Sequence, residues 1–180
     1  TSRHAATPKN GVNAIEVSTN SIEKLKEYLF QYIDPELGIT SVNLASIEGR
    51  GSASNVVPDN CQFVLDIRPS TPQINARLIL DQLNIFVTEL GGKFINPKVK
   101  FDFGSWLTPK SKLEKFGINF KNISTSGYMD TQMLWQIFTK PDCLTIGAGA
   151  QSTAHAANEY VEIEKLEKLE NILLNIIQNI

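Results

Sequence analysis

Cysteine and histidine are scarce in this chain of 180 residues, which holds only Cys61, Cys143, His4 and His155. Each cysteine sits inside an apolar run. Two buried free thiols in a reducing compartment are expected, not a disulfide scaffold. No apolar run reaches the length of a membrane span, and no secretory leader is visible. A cytoplasmic protein with no membrane contact is therefore expected. A basic field is missing too. The formal charge of −2 offers nothing to nucleic acid or an anionic lipid surface. Internal repeats and low-complexity tracts are absent. The chain opens on Thr1 with no Met, as a piece of a longer protein would. What remains is 42% hydrophobic and 20% charged, ordinary values for one large or two small globular domains.

Hydrophobic periodicity gives the elements. Val12, Ile15, Ile22, Leu25, Leu29 and Ile33 recur at three- and four-residue steps. They predict a helix from Gly11 to Ile33, stopped by Asp34-Pro35. Thr40 to Glu48 has strand character, and Arg50 to Asn55 is a loop. Cys61, Phe63, Leu65 and Ile67 alternate with Gln62, Val64, Asp66 and Arg68, a half-buried strand ended by Pro69. Thr71-Pro72 opens a second helix with the stripe Ile79, Leu83, Phe86 and Leu90, terminated at Gly91-Gly92. Phe94 to Phe103 reads as a further strand.

Residues 1–104 thus read helix, strand, strand, helix, strand. A first strand leading into Thr1 would complete a split βαβ pattern, the ferredoxin-like sandwich. Both helices would cover one sheet face, leaving Asp66 and Arg68 on the open one. The character changes over 105–180. A connector with a short helix is expected over Leu107 to Phe116, then a short strand over Asn119 to Ser124. A turn at Ser126 to Asp130 and a helix from Thr131 to Phe138 follow. Next come a strand from Pro141 to Ile146 and a last helix with Leu166, Leu169, Leu173, Ile176 and Ile180 on one face. That order suggests the C-terminal part of a mainly parallel α/β domain behind an α+β first domain, so α/β is the fold class.

Chemistry-bearing residues fall in five places. Gly147-Ala-Gly149 follows an apolar strand and precedes His155, a place where a ligand or metal can approach the backbone. His4 lies near the chain start, where a solvated histidine is the ordinary case. Gly51-Ser-Ala-Ser-Asn55 combines an accessible backbone with an amide able to bond a carboxylate or carbonyl. A polar hairpin loop explains it equally. Arg68 presents a planar fork suited to a carboxylate, or makes a surface pair with Asp66. Asp130, after Ser126-Gly127-Tyr128-Met129, is a good helix N-cap.

Taken together the strings resemble one family. They are Ser2-Arg-His4-Ala-Ala-Thr-Pro8-Lys-Asn-Gly11-Val-Asn13-Ala-Ile15, then Gly51-Ser-Ala-Ser-Asn55-Val-Val-Pro58, then Leu65-Asp66-Ile-Arg68-Pro69. Ser126-Gly127-Tyr128-Met129-Asp130 follows, and last comes Gly147-Ala-Gly149 with Ala154-His155-Ala-Ala-Asn-Glu159-Tyr-Val161. In order and spacing they are similar to the co-catalytic zinc deacylases and exopeptidases, which include acetylornithine deacetylase, succinyl-diaminopimelate desuccinylase and the aminoacylases. The resemblance implies a lid or dimerisation domain over 1–104 and the end of a zinc catalytic domain over 105–180. It implies that His155 is a zinc ligand and that His4 polarises the scissile carbonyl in the partner subunit's site. Asn55, Arg68, Gly127, Asp130, Gly147 and Gly149 would contact substrate, a small N-acyl amino acid or a dipeptide. It further implies a homodimer and two zinc ions in the intact enzyme. Many relatives have Gly-Gly-Thr-Ser-Asp where this chain has Tyr128 and Met129 before Asp130, a departure at the substrate pocket.

The family's other zinc ligands and its general-base Glu come from a His-x-Asp segment and a Glu-Glu pair, and neither is present. The chain reads as the lid plus the tail of a zinc-dependent amidohydrolase that releases an amino acid from an N-acetyl or N-succinyl precursor. Alone it is expected to be inactive and to bind zinc weakly. A dipeptidase or carboxypeptidase of the same family is the alternative, as is a non-catalytic dimerisation module.

Overall fold

The computed structural model describes residues 2–107, 130–139, 142–143, 145–149, 153–154 and 156–179. Described residues up to Trp106 belong to one compact unit, and those from Leu107 onward belong to a second. The fold is mixed α/β, with short antiparallel sheets.

In the first unit, helix α1 spans Ala14–Leu29. It starts three residues later than expected because Asn13 caps it. The Asn13 side chain accepts the amides of Ile15 (3.0 Å) and Glu16 (3.4 Å) and donates to the Glu16 carboxylate (3.0 Å). The helix also ends early, at Leu29. Ile33, expected at its end, instead opens a small hairpin, β1 (Ile33–Asp34) with β2 (Gly38–Ile39). Asp34 closes the turn by accepting the amides of Glu36 and Leu37, both at 2.8 Å. Gly38 follows with φ of 77°, a backbone that suits glycine. Ile33, expected on the buried stripe, is 63% exposed.

Strands β3 (Ser41–Gly49) and β4 (Cys61–Arg68) pair antiparallel, from Ser41 opposite Arg68 to Gly49 opposite Cys61. The register shifts between Leu44 and Ser46. Val42 and Leu44 face inward on even numbers, whereas Ile47 must pair with Phe63 on an odd one. One extra residue absorbs that change of phase. Phe63, Leu65 and Ile67 pack on a core of Leu25, Leu29, Ile74 and Leu83. The alternate residues Gln62, Val64, Asp66 and Arg68 therefore lie on the face away from α1 and α2 (Ala76–Glu89). Helix α2 begins at Ala76 rather than near Pro72. Asn75 caps it through the Leu78 amide (3.0 Å), and the Asp102 carboxylate takes the Ala76 amide (3.2 Å).

Leu25 is fully buried between the helices and the sheet. Leu25→Ala should cost about 2–5 kcal/mol by lost burial and the cavity left behind. Urea unfolding followed by circular dichroism would read this as a lower midpoint.

Phe94 to Phe103 is not a strand. Asn96 takes φ of 49° and Pro97 has no amide to donate, so the backbone is broken where a ladder would run. In the expected order this segment would also pair with a strand preceding it at Thr1, and none lies among the described residues. Neither cysteine is in a disulfide, and both are half-buried rather than buried. Cys61 occupies the last rung of the β3–β4 ladder, where cover runs out.

The second unit holds helix α3 (Asp130–Ile137) and helix α4 (Ile163–Gln178). Asp130 is the first helical residue rather than the cap. Asp142, Cys143, Thr145 and Ile146, expected in a strand, are not in one. A strand needs a bonded neighbour, and no such neighbour lies among the described residues. The connector and short helix expected over Leu107 to Phe116, beyond Leu107 itself, and the strand expected over Asn119 to Ser124 lie outside the described residues. No described helix is long and apolar enough to cross a membrane.

Candidate functional site

Two of the motif segments, Ser2 to Ile15 and Gly51 to Pro58, are stitched together at one end of the first unit. The Ala5 amide donates to the Asn55 carbonyl at 2.7 Å, the Val57 amide to the Arg3 carbonyl at 2.8 Å, and the Ser2 hydroxyl to the Val57 carbonyl at 3.1 Å. His4 and Val56 thereby face each other in a single antiparallel bridge. The Ala14 amide donates to the Pro58 carbonyl at 2.9 Å, tying the start of α1 to the same loop. Val57 is buried beneath this seam, while His4 and Asn55 are exposed above it. The Asn55 side-chain amide makes no hydrogen bond among the described residues and is open to a ligand. Gly51 is required by the fold, because a Cβ there would collide with the Val56 carbonyl oxygen. Asn13 of the first motif is a cap, so that part of the string is structural.

Arg68 is elsewhere. It pairs with Asp66 through Nη2 at 2.7 Å, both side chains being partly exposed. Its strand position is opposite Ser41, at the other end of the ladder from Gly49 and Cys61. Seven strand steps from Cys61 to Arg68 span roughly 23 Å at the usual rise. Helix α1 gives an independent ruler. Its first turn is at the Gly49 end, where Ile15 would lie 2.7 Å from a Cβ on Gly49. Just past its last turn, the Tyr32 carbonyl accepts the Ser70 hydroxyl at 3.3 Å, beside Arg68. Its 16 residues cover about 24 Å between those points. One copy of the chain brings His4 to Asn55 but keeps both far from Arg68.

In the second unit, Gly147 and Gly149 are exposed, and a Cβ on either would meet nothing within 4 Å. Neither has a positive φ, so local conformation does not call for glycine there. Asp130 is exposed at the start of α3. Gly127 and His155 lie outside the described residues, as do Tyr128 and Met129. Among the described residues no three of His, Cys, Asp and Glu group as metal ligands would. These residues by themselves do not fit a zinc ion.

Among the described residues two titrating groups are perturbed, and neither belongs to this seam. The Tyr28 phenol is raised by its hydrogen bond with Tyr32 (3.1 Å) and then by burial. The exposed Lys165 ammonium is raised by its 2.6 Å pair with Glu162. The first lies at the end of α1 and the second at the start of α4.

Comparison with known proteins bears on both units. A family model described as a peptidase dimerisation domain matches residues 1–91. Acetylornithine deacetylase from Buchnera aphidicola subsp. Schizaphis graminum is 27% identical over 188 residues, covering 98% of this chain and 49% of that protein. Succinyl-diaminopimelate desuccinylase from Vesicomyosocius okutanii is 26% identical, covering 98% of this chain and 48% of that protein. The crystal structure of aminopeptidase PepT from Bacillus cereus superposes with a TM-score of 0.60 at 20% identity, covering 99% of this chain and 48% of that one. That last likeness is one of fold. The chain spans about half the length of the curated relatives it matches.

Proposed function

Since this chain belongs to the peptidase dimerisation domain family, we propose that it is the dimerisation domain and tail of a zinc-dependent amidohydrolase. The substrate would be a small N-acyl amino acid, hydrolysed to an amino acid and acetate or succinate. Residues 1–104 would be the ferredoxin-like lid, its sheet completed by a strand ahead of Thr1. Residues 105–180 would close a parallel α/β domain. In support, no residue of α3 or α4 is buried. Leu134, Ile137, Leu166 and Leu173 are 49%, 67%, 46% and 43% exposed, faces that the rest of a catalytic domain would cover. Metal chemistry is assigned to residues beyond the described ones, with His155 as this chain's contribution.

The observation that carries the reading is the separation of His4 and Asn55 from Arg68. Two copies would associate through α1 and the outer edge of β3, which bonds only β4 among the described residues. The His4–Asn55 end of one copy would then serve the site that Arg68 of the other copy lines. Arg68 would bind the substrate's carboxylate with the guanidinium edge that Asp66 leaves free. His4 would donate to the carbonyl oxygen as charge develops there. Gly127, Asp130, Gly147 and Gly149 would contact the substrate's amino acid end.

The test is kinetic, on the full-length enzyme. His4→Ala should lower turnover about 10²–10³-fold, the usual loss for one oxyanion donor. Arg68→Ala should act chiefly on KM, by about 10–100-fold, the worth of a charge-assisted hydrogen bond. Unchanged KM in Arg68→Ala would contradict the carboxylate role. A peptide substrate cleaved in preference to any N-acyl amino acid would favour the peptidase alternative.

A further inference from the structure

His4 is fixed by its side chain as well as by its backbone. Its Nδ1 accepts a hydrogen bond from the Ala6 amide at 3.1 Å, while its carbonyl accepts the Thr7 amide at 2.9 Å. The imidazole thus occupies the place an Asn or Asp side chain takes in a turn, bonding the backbone two residues on. A ring nitrogen that accepts a hydrogen bond carries no proton. In a neutral imidazole the proton must then be on the other nitrogen. For His4 that is Nε2, on the edge of an exposed ring, with no hydrogen bond among the described residues.

We infer that the Ala6 amide is the positioning group that holds His4 in its Nε2–H tautomer, so that His4 presents a neutral hydrogen-bond donor. A base at Nε2 would need the proton on Nδ1, where it would point at the Ala6 N–H. The use of that donor on a substrate carbonyl rests on the function proposed above. The tautomer and its cause do not.

Nuclear magnetic resonance of the 180-residue chain tests the tautomer directly. With histidine and alanine labelled in ¹⁵N, and His155→Gln removing the second histidine signal, spectra at alkaline pH should show Nε2 protonated and Nδ1 bare. A through-bond coupling should join the Ala6 nitrogen to His4 Nδ1. Ala6→Pro removes the donor and leaves the imidazole unchanged. It should abolish the coupling and let the Nδ1–H form appear as a minor species. A protonated Nδ1 in the unaltered chain, or a tautomer ratio that Ala6→Pro leaves unchanged, would overturn the inference.

Turnover of the full-length enzyme tests the donor. The Gln amide nitrogen reaches about where Nε2 lies, whereas Asn can replace only the Nδ1 contact with Ala6. His4→Gln should therefore keep roughly tenfold more activity than His4→Asn, a small part of the loss expected when one oxyanion donor goes. The reverse order would overturn the donor role. If the spectra agree and every His4 variant turns over normally, the tautomer stands and the proposed function falls. If the spectra disagree while His4→Ala is inactive, the proposed function stands and the tautomer assignment falls.

Discussion

The 180 residues alone, purified with zinc, are expected to release no free amine from N-acetylornithine, N-succinyl-diaminopimelate or simple N-acetyl amino acids. Too few ligands are present. A catalytic zinc takes three protein ligands and a water. The chain has two histidines, and His4 is already engaged in a turn of the first unit through the Ala6 amide. Among the described residues no carboxylates or thiols gather around a metal-sized centre. One imidazole does not hold zinc at micromolar concentration, since binding strength follows ligand number and geometry. No Glu of this chain falls in a family motif for the general base. Enzymes of ordinary power accelerate their reactions by about 10⁶-fold or more, so even a poor site would show in a fluorescent amine assay. Turnover that disappears in His155→Ala would contradict the account and show that the chain completes a zinc site by itself.

Much of the first unit was legible, and the misses have local causes. The bounds of β4 follow from strict alternation between Cys61 and Arg68 with Pro69 to stop it, and the structure has those bounds. The stripe of α1 was equally plain, but its ends were not. Asn13 with Glu16 three residues on has the spacing of a capping box, the signal that places the start. Asp34-Pro35 was read only as a stop, although Asp34 followed by Gly38 carries the chemistry of a turn, and the hairpin is the result. Asn75 outweighed Pro72 as the start of α2 because its side chain reaches the Leu78 amide. Phe94 to Phe103 had the apolar content of a strand, but strand formation depends on a neighbour that periodicity cannot supply. In the second unit, the stripe of α4 shows in the sequence, whereas what covers it does not.

The candidate site was legible as a set of strings but not as a place. The resemblance singled out His4, Asn55 and Arg68 and implied that His4 acts in the partner's site, without placing Asn55 relative to either. Ladder register and the length of α1 supply that. His4 and Asn55 share one end, and Arg68 has the other. The signal existed in the sequence, since the alternating residues Cys61 to Ile67 separate the Asn55 loop from Arg68, but only the pairing partner of each strand turns a residue count into a distance.

That separation makes the shared site testable by mixing impaired subunits. At substrate well below KM, where a raised KM lowers the rate in full, full-length His4→Ala and Arg68→Ala enzymes should each keep no more than about a tenth of the activity as homodimers. When they are unfolded together and refolded at equal amounts, half of the dimers carry one subunit of each kind. In such a dimer one site has the intact His4 and the intact Arg68, and the other has neither. Activity should recover to about a quarter of the unaltered enzyme, the value that random pairing in a two-fold dimer gives. Arg68→Ala mixed with Arg68→Ala,His4→Ala should recover nothing. If the His4→Ala and Arg68→Ala mixture stays at the level of its parents while sedimentation shows mixed dimers, His4 and Arg68 act within one subunit. The shared site would then be wrong.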